Sequence, residues 1–191
     1  MPDDKSSPGY LRDRKKWMSL YQLVKQWWYV PVLAVGAFVY FSPPSAPTLE
    51  EYVKAAQQRK GGDVGVYRSG TIDLDGFSAN CQNTPIVVDN NFEDHAAAWP
   101  QSGFMIINAK YFVALPKTQK LFTFYHECGH ITGLEAELDA DCYGIRQGRK
   151  LGWLDQAGLD QLCAYWRPKK GDRTHPPGKQ RCERMIACFN E

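Results

Sequence analysis

His126 and His130 stand four residues apart with Glu127 beside the first, inside the stretch FYHECGHITGLEAELDADCYG that runs from Phe124 to Gly144. On a helix, positions i and i+4 share a face one turn apart, so the two imidazoles meet at one point. Each can give one nitrogen to zinc. Glu127 reaches a zinc-bound water without ligating the metal; the metal lowers that water's pKa and the carboxylate takes its proton. This is the HExxH arrangement, and it holds two of the chain's 4 histidines. The competing reading is a solvated helix face that carries two histidines and a glutamate.

A catalytic zinc needs a third protein ligand and an open fourth position. The pattern HExxHxxGxxH is excluded: Gly133 stands where its glycine falls, but its last ligand position holds Ala136. A carboxylate must serve instead, and Glu135, Glu137, Asp139 and Asp141 compete. Glu137 and Asp141 share a face of the following helix. One can bind the metal while the other accepts a hydrogen bond from a ligand histidine and fixes its tautomer. Ala140 is small and lets the two helices approach closely, and Glu135 and Asp139 then point into solvent.

Positioning these groups takes two consecutive helices. Thr118 can cap the first, which continues through both histidines, and Gly133 can end it. LEAELDADCYGIRQGRKLGW is expected as the second, followed by LDQAGLDQLCAYW and, after a GDRTHPPGKQ loop, RCERMIACF. Upstream, TLEEYVKAAQQRK opens with a Thr cap and carries helical apolar spacing. Residues 64 to 108 change to short β-like runs, VGVYRS, TPIVVD, HAAAW and GFMIINA, separated by turn residues. The expected class is α+β, a small, mostly antiparallel sheet followed by a helical HExxH core. GFMIINA reads either as an edge strand to which an extended peptide can add or as an ordinary core strand, and the pattern leaves both open. Phe122, Phe124 and Tyr125 are expected in the core.

The N-terminal part has a different character. Residues 27–41, WWYVPVLAVGAFVYF, carry no charge and follow Arg12, Arg14, Lys15, Lys16 and Lys25. Basic, then apolar, then Pro-rich is the order of an export signal or anchor. As a helix the run spans roughly 22 Å, short of a ~30 Å hydrocarbon core. The only small-residue cleavage site, before Pro47, is disfavoured by Pro44. We therefore expect a basic cytoplasmic segment (1–26), an uncleaved signal anchor (27–41), a stiff linker (42–48) and an exported domain (49–191), periplasmic or extracellular. All 6 cysteines follow the apolar run, which suits up to three disulfides. Cys128 and Cys142, on consecutive helices that must pack together, are the expected pair. No CxxC occurs, which argues against a thiolate zinc site. The formal net charge of +2 and the absence of one long basic patch or an aromatic-plus-basic module give no expectation of nucleic acid.

HECGH, then ELDAD, then THPPGKQR together resemble the gluzincin metallopeptidase family of the CAAX prenyl proteases and heat-shock membrane proteases. That family shows HExxH, ExxAD and a THPP segment with an arginine six residues after its histidine, the spacing of His175 and Arg181 here. The resemblance covers roughly residues 85 to 190. It implies one Zn2+ per chain held by His126, His130 and Glu137, with Glu127 as general base and Asp141 in support. It places His175 and Arg181 near the cleft, where either could stabilise the oxyanion. Glu137 is further expected to lie deeper in the second helix than Glu135, which falls in the turn. Only six residues separate His130 from Glu137, where the membrane members carry a long insertion, and their several transmembrane helices are lacking. The resemblance thus implies a compact, minigluzincin-like exported endopeptidase acting on peptides or unfolded proteins and tied to the membrane through 27–41. The alternatives are an exported zinc-containing binding or chaperone-like module with little or no peptidase activity, and a membrane assembly factor.

Overall fold

The computed structural model describes residues 46–59, 61 and 63–191. The basic segment 1–26, the apolar run 27–41 and linker residues 42–45 lie outside the described residues. Among those described, no helix is long and apolar enough to cross a membrane.

Thr48 starts the first helix, α1 (Leu49–Gln58), through a capping box. Its hydroxyl accepts from the Glu51 N–H while the Glu51 carboxylate accepts from the Thr48 N–H, so donors left over at the helix start are satisfied reciprocally. Tyr52 Oη (2.8 Å) and Arg59 Nη2 (2.9 Å) both donate to the buried Asp89 Oδ2 and tie this helix to the sheet.

Six strands follow: β1 (Val64–Arg68), β2 (Ile72–Asp73), β3 (Ser78–Ala79), β4 (Pro85–Asp89), β5 (Ala96–Trp99) and β6 (Phe104–Ile107). The short β2–β3 hairpin stands apart, and the remaining four form one sheet in the order β1-β4-β6-β5. Only the β4–β6 pair is parallel, so the architecture is α+β with a mostly antiparallel sheet. Both faces are covered. Phe104 and Ile106 pack with Val87 against Tyr52 and Ala56 of α1, whereas Met105 and Ile107 pack with Ile86 against Leu121, Phe124 and Tyr125.

That double burial decides between the two readings of GFMIINA in favour of the core strand, and the edge-strand reading falls. All of Phe104–Ile107 is buried, and β6 pairs on both sides, with β4 and β5. A continuous apolar run without alternation is the mark of a strand covered on both faces. The edges are β1, paired only with β4, and β5, paired only with β6.

A short helix, α2 (Ala109–Ala114), is capped by the Asn108 side chain. Next come α3 (Lys117–Ile131), α4 (Glu137–Leu151), α5 (Gln156–Trp166) and α6 (Gly178–Asn190). Pro116, not Thr118, precedes α3; its fixed φ suits a helix entry, and Thr118 lies within the first turn. Gly133, at φ +96°, follows the end of α3. One face of α3 meets the sheet. The other meets a second core in which Phe122 joins Ile145, Leu159, Leu162 and Met185. Phe122, Phe124 and Tyr125 are all buried, as expected.

α3 and α4 approach closely through two glycines. A Cβ on Gly129 would lie 3.1 Å from Ala140 Cα and 3.3 Å from Tyr143 Cβ. One on Gly144 would lie 3.3 Å from the Phe122 ring and 3.5 Å from the His126 backbone nitrogen.

All six cysteines are paired: Cys81–Cys128, Cys142–Cys188 and Cys163–Cys182. This corrects the Cys128–Cys142 expectation. Cys128 sits in the sheet-side core with Leu121 and Tyr125, where it reaches Cys81, and its Sγ meets the Tyr143 hydroxyl of α4 at 3.7 Å. Cys142 faces Cys188 on α6 within the second core. The α3 face that meets α4 is taken by Gly129 and His126. Three cystines point to an oxidising, exported environment.

Gly129→Leu should cost about 1–3 kcal/mol of stability through overpacking. The measurement is the midpoint of denaturant unfolding, with an unchanged slope. A midpoint equal to the parent's would mean that the helices have room to spare.

Candidate metal centre

His126 and His130 project from one face of α3 and their rings meet edge to face, with centroids 4.8 Å apart. Their Nε2 atoms are 3.2 Å apart. Glu137 completes the group from across the inter-helix turn: Oε2 lies 3.3 Å from His126 Nε2 and Oε1 lies 3.6 Å from His130 Nε2. Among the described residues this is the one cluster of three such groups whose donor atoms converge. Two ligands on a tetrahedral zinc, each ~2.0–2.1 Å from the ion, stand roughly 3.3 Å apart. The three separations fit that figure.

The ring tautomers follow from what the outer nitrogens meet. His126 Nδ1 donates to Asp141 Oδ1 at 2.9 Å, and His130 Nδ1 donates to the Leu134 carbonyl at 2.7 Å. Both Nε2 lone pairs then turn inward. They face Glu137 Oε2, which is buried and has no hydrogen-bond partner. Converging lone pairs in a buried pocket repel unless a positive charge sits between them. A second proton on His126 or a metal ion supplies that charge, so the donor set fits a cation.

Behind His126 the support continues. Asp141 is fully buried and accepts from Arg181, through Nε to Oδ2 at 2.8 Å and through Nη2 to Oδ1. The Arg181 guanidinium lies over the Trp166 ring, 4.0 Å from its centroid. Arg181 is only 3% exposed. Its donors serve Asp141, and Nη2 also lies 3.4 Å from His126 Nδ1, so it stands beside the pocket and braces its wall from behind His126.

Glu137 is the first residue of α4, not a position deeper in it, because the turn extends through Ala136. Its i+4 relation to Asp141 survives. Glu135 and Asp139 are exposed; Asp139 lies 3.6 Å from Arg184. Glu127 is partly exposed beside His126. His175, in the loop before α6, has Nε2 3.8 Å from Glu137 Oε1 and a side chain 46% exposed. Thus the structure gathers His126, His130, Glu137, Asp141 and His175 around one point. The Leu134 carbonyl and Trp166 were missed in the sequence. A backbone acceptor leaves no mark in residue identity, and a stacking partner 40 residues downstream of His126 leaves no local one.

The electrostatics match the geometry. Burial disfavours charge on His126, but the Asp141 and Glu137 acceptors and the nearby Glu127 charge outweigh it and push the imidazole up to about 9. Burial likewise opposes charge on His130, where Glu137 wins and the value rises. Burial would raise Glu137; its two histidines instead hold it well below the usual carboxylate range. Asp141 is lowered, against its burial, by Arg181 and His126. Without metal, the pocket therefore holds a proton that a metal must displace. No family model, curated protein or solved structure matches the chain.

Two outcomes follow. A histidine raised from its ordinary ~6.5 stabilises the folded state fully below that pH and loses the contribution as pH rises through its folded value. The melting temperature of the metal-free protein should therefore fall between pH ~6.5 and about 9. Across the same window zinc uptake, followed by calorimetry in buffers of different ionisation enthalpy, should release at least one proton per ion; none released would contradict the proton-filled pocket. Among the carboxylates, Asp141→Asn should weaken zinc binding by ~10- to 100-fold, Glu137→Gln by more, and Glu135→Gln hardly at all. Zinc lost by Glu135→Gln and kept by Glu137→Gln would reassign the third position.

Proposed function

We propose that this chain is a zinc-dependent endopeptidase of the gluzincin kind, with one Zn2+ held by His126, His130 and Glu137 and with Glu127 as its general base. The observation that carries the reading is a three-residue donor set with a carboxylate of the HExxH type beside it. Structural zinc sites close with four protein ligands, whereas catalytic ones stop at three. Zinc held there would polarise a peptide carbonyl and bring the pKa of a water towards neutrality.

The chain's own groups supply the remainder. Glu127 sits next to a ligand and is partly exposed, so it can take a proton from the attacking water and pass it to the leaving amine. With Arg181 committed to Asp141, the oxyanion role shared between two residues in the sequence falls to His175, whose Nε2 faces the Glu137 side of the pocket. The free edge of β5 beside α3 offers main-chain groups to which an extended peptide or unfolded protein can add. Ala96, Ala97 and Ala98 along it are small and only partly buried. The three cystines favour an exported location, and membrane attachment through residues 27–41 completes the proposal.

A binding or chaperone-like module with structural zinc is the rival, and Glu127 speaks against it, since a structural site needs no base. The purified protein should contain zinc by mass spectrometry and digest an unfolded protein. Glu127→Gln should lower turnover by ~10²-fold or more and keep its zinc. A zinc-loaded parent that leaves unfolded protein intact, or a Glu127→Gln variant as fast as the parent, would favour the rival.

A further inference from the structure

The Asp172 carboxylate meets four donor groups, all of them on Thr174 and His175. Its Oδ1 accepts from the Thr174 N–H at 2.8 Å, the Thr174 hydroxyl at 2.8 Å and the His175 N–H at 2.9 Å. The same oxygen lies 3.1 Å from His175 Nδ1, and Oδ2 lies 3.3 Å from it. The Asp172 backbone N–H in turn donates to the His175 carbonyl at 2.9 Å. The residue thus closes the loop on His175 from both the main chain and the side chain. Its carboxyl is held below the usual range: slight burial pushes it up, and the hydrogen bonds from Thr174 and His175 outweigh that.

The loop leaves little freedom around this contact. Gly171, at φ +75°, sits against the returning chain, where a Cβ would meet the His175 carbonyl and the Pro177 nitrogen at 2.7 Å. Pro176 and Pro177 fix φ directly after the histidine. The Gly178 N–H donates to the Lys169 carbonyl at 2.8 Å and closes the base of the loop.

A carboxylate can only accept, so the Nδ1 it meets is the donor; the Thr174 hydroxyl oxygen, whose own proton goes to Asp172, lies 3.0 Å from the same nitrogen and can share in accepting from it. Nε2, on the other side of the ring, is then the nitrogen presented to the Glu137 side of the pocket, at 3.8 Å. Resting on the peptidase reading above, we propose that Asp172 is a positioning residue for catalysis: by accepting from Nδ1–H it fixes the ring direction of His175 with Nε2 towards the substrate, where Nε2 donates to the oxyanion when the ring carries both protons. Thr174 assists by donating its hydroxyl to the same carboxylate.

The test compares Asp172→Asn, Asp172→Ala and Asp172→Ser in the full chain. Asparagine keeps an acceptor oxygen in place; serine can still cap the loop's N–H groups but is too short for the ring. The first readout is nitrogen-15 NMR of the His175 ring, well above pH ~6.5, with its signals assigned by their loss in His175→Ala. The parent and Asp172→Asn should carry the proton on Nδ1, and Asp172→Ala and Asp172→Ser should lose that preference. The second readout is kinetic: alanine and serine should lower kcat by ~10-fold or more, with KM and zinc content near the parent's and asparagine largely restoring the rate. If Asp172→Ala fails to fold, Asp172→Ser decides. A parent-like ring tautomer or a parent-like kcat in that variant overturns the proposal. A parent that cleaves nothing refutes the peptidase reading instead, while the ring tautomer still tests the hold of Asp172 on His175.

Discussion

Two helices can bring a histidine of one within 2.9 Å of an aspartate of the other only if nothing bulky stands where they cross. Gly129 on α3 and Gly144 on α4 meet that constraint, with Ala140 opposite the first. Most of the metal centre depends on this approach. His126 and His130 leave one helix, Glu137 and Asp141 leave the other, and a shift of an ångström would separate a donor set now spaced 3.2–3.6 Å apart. The cores on either side hold the crossing from without: the sheet presses on one face of α3, while α5 and α6 fill the other side.

The same close approach forces a concentration of charge into the interior, and the chain resolves it by alternation. Trp166, Arg181, Asp141, His126 and Glu137 form a line of π-face, cation, anion, imidazole and anion. Each group is flanked by its complement, which is the condition under which buried charge is tolerable. The line ends on Glu137, whose Oε2 lies 3.3 Å from His126 Nε2 and has no hydrogen-bond partner. A cation there would complete the alternation.

The chemistry was more legible in the sequence than its setting. HECGH announces itself because helical periodicity alone places both imidazoles on one face. Glu137 could be singled out from four carboxylates, although the helix start was misjudged by three residues and the argument from depth fails. Edge and interior could not be told apart for Phe104–Ile107 because a run apolar on both faces does not say which strands flank it. The cystine pairing needed to know which way Cys128 faces, and the 3.6-residue period points it towards the sheet once the histidines are turned towards α4. Arg181 was visible as a spaced motif, but its partner 40 residues earlier was not. Asp172, three residues before His175, fits the side-chain-to-backbone pattern typical of aspartate in loops, a signal present in the sequence and easily passed over.

The three cystines also set the relation between metal and fold. Small zinc domains are often unfolded without their ion, since binding must supply the free energy of ordering the chain. Here α3, α4 and α5 each carry one half-cystine and α6 carries two, and the cross-links close spans of 47, 46 and 19 residues. Each removes part of the disorder available to the opened chain, about 3–4 kcal/mol on a loop-entropy account. The scaffold is thereby ordered by covalent bonds before any ion arrives. A metal held there could leave and return without the pocket having to be rebuilt, so its occupancy would be a matter of supply in the surrounding compartment and not of folding.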